Sequence, residues 1–273
     1  MKQPVLASLS IGLYLVATAL ISYRLFMRDR ATVPPRVVAL GAAFAGFMLH
    51  TWLLYQTIFS SAGLNLAFFN ALSLASWTVI GALLVPSINK PVENLGIVLL
   101  PVAALTILLD AVYPHVGFMA ENTSWMLKLH VLLSMLAYSL LTLASVQALL
   151  LAVQDHYLRK RQPNGFIRSL PPLMTMEALL FEMISVGFML LTLALLSGVA
   201  FLDNLFAQHL VHKTVLSVFA WMIFGGLLLG RKLWGWRGRK AIIGTLSGFI
   251  ILLLSYFGSK LVLELILHRT IGT

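Results

Sequence analysis

Apolar runs long enough to cross a bilayer recur along this chain with only short polar breaks between them. A helix needs about 20 such residues to span the hydrocarbon core. The runs cover roughly 5–25, 37–59, 66–86, 95–112, 125–153, 174–202, 212–230 and 241–267. The breaks carry turn-forming residues: Pro34-Pro35, Ser60-Ser61, Pro86 to Pro91, Pro114, Pro163-Asn164-Gly165 with Pro171-Pro172, Asp203-Asn204 and Gly235 to Gly238. A lone strand in lipid leaves its amides unsatisfied, so each run is predicted to be helical. The expected fold is an all-α integral membrane protein, a bundle of about eight transmembrane helices forming a single polytopic domain over 1–273. Only 10% of residues are charged, against roughly a quarter in a soluble domain, so lipid must solvate most of the exterior. No internal repeat and no domain linker stand out.

The first run reads as a retained span. Arg24, Arg28, Arg30 and Arg36 follow it as a stop-transfer cluster, and no small-x-small cleavage site stands out. Cysteine is absent, which excludes disulfides, thiolate metal sites and thiol chemistry. The net charge of +10 comes largely from alternate loops. Breaks after runs 1, 3, 5 and 7 hold fourteen of the nineteen Lys and Arg, including Lys90, Arg159, Lys160, Arg161 and Arg168. By the positive-inside rule these loops are cytoplasmic and both termini extracytoplasmic. The basic character therefore needs no nucleic acid, and Trp234 and Trp236 belong to an interfacial belt.

On this topology six of the seven histidines fall in the outer half of the membrane, His156 being the exception. Ionisable groups in a span call for a reason, usually a partner inside the bundle. His50 lies near the middle of the second run and His130 a short way into the fifth. Each could be a metal ligand, or could hydrogen-bond between helices for packing alone. His209 and His212 have i, i+3 spacing, but two ligands are too few for structural zinc. His115 and His268 read as interfacial residues. Glu177 is expected to reach the interface or pair with Arg168, Glu182 to meet another helix, and Lys260 to pair with Glu264. Gly226/Gly230 and Gly244/Gly248 allow close helix approach. No acid, base and nucleophile converge, so no enzyme is expected, and without a repeat or paired broken helices a transporter is disfavoured.

Five segments in order resemble the cytochrome c assembly family of CcsA-type and HemX-type membrane proteins. They are His130 to Tyr138, Gly187 to Gly198, His212-Lys213-Thr214 through Trp221 to Arg231, Gly235 to Arg239, and Tyr256 to Lys260. The resemblance is strongest over 125–268 and, in size and span count, is nearest to the compact YpjD-like inner membrane branch. It implies haem handling at the outer face of a bacterial inner membrane, with haem as candidate cofactor. His130 matches the family's first outer histidine. Where a tryptophan-rich outer loop is expected, the chain has Asp203 to Thr214 without tryptophan, and Gly230 stands where a second outer histidine is expected. His130 and His212, at matching depth, are the candidate axial ligands, with His50 a deeper third. The alternative is a cofactor-free accessory or regulatory subunit of another membrane protein or of haem biosynthesis.

Overall fold

The computed structural model describes residues 2–27, 33–60, 63–65, 67–113, 118–119, 125–160, 170–201 and 211–258. Its helices are α1 (Lys2–Phe26), α2 (Arg36–Ile58), α3 (Phe68–Ser87), α4 (Gly96–Val112), α5 (Trp125–Arg159), α6 (Leu173–Phe201), α7 (Val211–Trp234) and α8 (Arg239–Leu253). A 3-10 turn, Glu93–Leu95, leads into α4, and a wider π turn, Leu254–Gly258, extends α8. With those extensions all eight helices are long and apolar enough to cross a membrane. Large apolar side chains such as Val16, Phe44, Val102, Met189 and Leu229 lie exposed on them, as a lipid-solvated surface requires. Three short strands, β1 (Phe59–Ser60), β2 (Gly63–Asn65) and β3 (Phe118–Met119), pair antiparallel in that order.

The chain's contacts divide it into two compact units, one built on α1–α4 and the other on α5–α8. In the first, α1 packs on α2 and α4, and α3 packs on the same two helices. In the second, α5 packs on α6 and α8, and so does α7. Each unit is thus a ring of four helices with one neighbour scheme.

The likeness extends to side chains and corrects the sequence reading, which finds no repeat. In the first unit Trp77 on α3 donates its indole N–H to Thr51 Oγ1 at 2.8 Å and stacks on Phe47, the ring centroids 5.2 Å apart. In the second, Trp221 on α7 donates to Thr192 Oγ1 at 2.9 Å and stacks on Phe188 at 5.5 Å. Both threonine hydroxyls donate to the phenylalanine carbonyl one turn back, at 2.8 Å, which leaves a lone pair for the indole. One turn beyond each tryptophan is a glycine, Gly81 or Gly225. A Cβ there would come within 3.3 or 3.2 Å of the phenylalanine ring. An indole N–H within hydrocarbon needs an acceptor, and both units supply it in the same way. The sequences agree accordingly. Gly46-Phe47-Met48-Leu49-His50-Thr51 differs at one position from Gly187-Phe188-Met189-Leu190-Leu191-Thr192, and Ser73, Trp77 and Gly81 are spaced as Ser217, Trp221 and Gly225.

Candidate functional site

His130 projects from the second turn of α5 against α6. Its Nδ1 lies 2.9 Å from the Ala194 carbonyl and 3.1 Å from Ser197 Oγ. Ser197 gives its own hydroxyl proton to Ala194 O at 2.8 Å. Both neighbours of Nδ1 are therefore acceptors, which makes Nδ1 the protonated nitrogen and Nε2 the one with a lone pair. No described residue bonds to Nε2. Gly198 makes the close approach to α6 feasible, since a Cβ at that position would sit 3.1 Å from His130 Cε1. A half-buried imidazole with one nitrogen anchored by backbone and the other left basic is the usual form of a histidine metal ligand.

His50 is held differently. It is fully buried, with Nδ1 3.3 Å from Tyr14 Oη and Nε2 3.0 Å from Ser73 Oγ, so both ring nitrogens are engaged. Tyr14 is itself fully buried and meets the imidazole edge to face. The second unit places apolar side chains here. Leu191 holds the place of His50 in the matched segment, and Leu141 packs against Gly187 as Tyr14 packs against Gly46. Only the serine recurs: Ser217 Oγ bonds to Ser255 Oγ at 2.9 Å.

His212 is the second residue of α7, and its side chain lies outside the described residues, as do His115, His209 and His268 and the Lys260–Glu264 pair. Arg168 lies outside them too; among the described residues Glu177 pairs with Arg231 of α7. Glu182 is exposed on α6. Asp110 accepts from Asn70, whose amide, turned to face it, takes a further hydrogen bond from Asn65 at 2.9 Å. Gly230 lies under the Trp236 ring, where no Cβ fits, so that position cannot carry a histidine in this packing. Gly248 closes on Phe224, and Gly244 on Leu227, so these small residues do seat α7 against α8, whereas Gly226 has open space beside it.

Sequence reasoning singled out His50 and His130 but missed their partners. Tyr14, Ser73 and Ser197 are ordinary helix residues whose role depends on which face meets which neighbour. A comparison of the chain with itself would have exposed the six-residue match around Thr51 and Thr192.

Sequence comparison finds relatives along nearly the whole chain. Inner membrane protein YpjD of Escherichia coli strain K12 is 33% identical over 271 residues, covering 97% of this chain and 100% of that protein. An uncharacterized 28.8 kDa protein of Azospirillum brasilense is 33% identical over 141 residues, 51% of this chain and 52% of its own length. The cytochrome c biogenesis protein CcsA of Chlamydomonas reinhardtii is 26% identical over 150 residues, 53% of this chain and 40% of that protein. No solved structure matches. The family model described as Cytochrome C assembly protein matches residues 40–267, and with the near full-length likeness to YpjD this places the chain in the cytochrome c assembly protein family.

Proposed function

We propose that the protein is a haem-binding protein of the bacterial inner membrane in which His130 would hold the haem iron through Nε2. The observation that carries this reading is the anchoring of His130 Nδ1 by Ala194 O and Ser197 Oγ, which fixes the tautomer a ligand needs. The relatives named for cytochrome c biogenesis and for the inner membrane supply the cofactor class and the compartment. Haem, when bound, supplies a redox-active iron centre. The chain's part is to hold the His130 ring, keep Nδ1 protonated and shield the site with apolar helices. His212, at the start of the helix that follows α6, is the proposed second ligand. His50 ranks third, because ligation would cost it the bond to Tyr14 or to Ser73. Both termini and the His130 end of the bundle are proposed to face outward, in keeping with the basic loops. No catalytic role is proposed.

The test is an absorption spectrum of protein purified from haem-replete cells. A Soret band that shifts on reduction and is lost in His130→Ala is expected. Folded but colourless wild-type protein would rule the reading out.

A cofactor-free accessory role is the second reading, favoured by Gly230, which the Trp236 ring covers. Stoichiometric co-purification of a membrane partner, unaffected by His130→Ala, would support it. The repeat removes one argument against a transporter. The other, that the sequence shows no paired broken helices, remains an expectation from the sequence.

A further inference from the structure

A cleft of about 560 Å³ opens at the end of the second unit where α5 and α7 finish and α6 and α8 begin. Asp155, Arg159, Glu177, Trp234, Trp236 and the run Arg237 to Lys240 line it. Both carboxylates are already neutralised. Arg159 Nε pairs with Asp155 at 2.8 Å, and Glu177, buried, pairs with Arg231, whose guanidinium lies 4.4 Å over the Phe181 ring. Arg237 reaches Glu177 only at 3.9 Å, and no described carboxylate pairs with Arg239 or Lys240. Three cations are thus in surplus around one opening.

Their positions are fixed by the backbone. Gly235 and Gly238 have φ of +64° and +54°, a left-handed conformation that disfavours any other residue. The turn they make folds Trp236 back over Gly230, with Trp236 N donating to Gly230 O at 3.2 Å. Lys240 Nζ then lies 5.2 Å over the Trp236 ring. The α8 N-cap, Gly238, provides no side-chain cap, so first-turn amides of a 15-residue helix add to the positive field beside the same cations.

We infer that this cleft binds the phosphodiester headgroup of an anionic phospholipid, with the arginine forks on phosphate oxygens. The lipid source, rather than a soluble phosphate, follows from the rim. Trp234, on the rim, is 68% exposed at the very end of its span, and on the adjoining face of the same helix Leu233 and Leu229, one turn apart, are 63% and 57% exposed, an apolar surface within reach of an acyl chain. The site is independent of the haem reading.

Full-length protein, stripped of lipid in an uncharged detergent, is titrated with phosphatidylglycerol, phosphatidylcholine or inorganic phosphate, and bound molecules are counted by native mass spectrometry. Phosphatidylglycerol is expected to bind preferentially. The triple variant Arg237→Gln, Arg239→Gln, Lys240→Gln should weaken it about a hundredfold, roughly fivefold for each cation removed. Arg239→Lys, which keeps the charge and loses the fork, should bind less tightly than wild type and more tightly than Arg239→Gln. If the triple variant does not fold, Arg239→Gln alone should cost about fivefold. Equal retention of phosphatidylcholine, no loss in either glutamine variant, or inorganic phosphate competing as well as the lipid would each overturn the assignment.

Discussion

Ser197 and Gly198 act on His130 in different ways, and substitution can separate them. Ser197 Oγ is one of two acceptors for the Nδ1 proton, so Ser197→Ala keeps the tautomer through Ala194 O but loosens the ring. Gly198→Ala leaves both acceptors in place and puts a methyl 3.1 Å from Cε1, displacing the ring by a few tenths of an ångström. Outer-shell partners of metal ligands are typically worth about 10–100-fold in affinity. Haem content per folded protein, read from the Soret band, should therefore fall by about tenfold in Ser197→Ala and further in Gly198→Ala. Helical content by circular dichroism should stay that of the wild type in both. Retention of full haem by Gly198→Ala would mean that the described His130 face is not the haem face.

At the scale of helices packed in a ring, the two units build the same core with different polarity, and that turns Tyr14 and His50 into a measurable question. Where the first unit has a buried tyrosine and histidine, the second has Leu141 and Leu191 at matched places beside matched glycines. The ring of helices therefore does not require the polar pair. His50→Ala strands Tyr14 Oη in the interior, at about 1–3 kcal/mol for the unsatisfied group, and leaves a cavity beside it. The double change Tyr14→Leu, His50→Leu copies the second unit in a nearly volume-conserving swap, and Ser73 can turn its hydroxyl to its own helix. The double variant should melt within about 1.5 kcal/mol of wild type in detergent, the single alanine variant well below it. If the double variant falls as far as the single, the polar pair holds the unit together after all. Why the helices were legible and these partners were not follows from the same physics. Length and apolarity alone bring a segment into lipid, so the runs around Val16, Val102 and Met189 could be read directly. Which side chains meet depends on the rotation of each helix, and in a lipid-solvated span the outward face is as apolar as the inward one. No amphipathic stripe then marks the face of Tyr14 or Ser197, and only internal comparison reveals it.

For the whole molecule, the four-helix repeat and the charge pattern make one joint statement about how the chain sits in a membrane. If each helix of a unit crosses the bilayer once, four crossings return the chain to its starting side, and α1 and α5 are then expected to enter from the same side. The basic breaks follow the first and third helix of each unit: Arg28 and Arg30 after α1, Lys90 after α3, Lys160 and Arg161 after α5, and Arg237 with Arg239 after α7. Because the Lys and Arg bias sets orientation, these four breaks should be cytoplasmic. Alkaline phosphatase fused at the C-terminus should then be active and green fluorescent protein there dark. The same reporters inserted at 163–165 should give the reverse. One reversed reporter would signal a crossing miscounted in its own half of the chain, whereas reversal of all of them would invert the whole arrangement. In that case His130 would lie toward the cytoplasm and the cleft lined by Arg237, Arg239 and Lys240 would face the opposite leaflet. Haem delivery outward would be untenable, while haem binding itself, which depends on the His130 tautomer and not on the leaflet, would still be open to the spectral test.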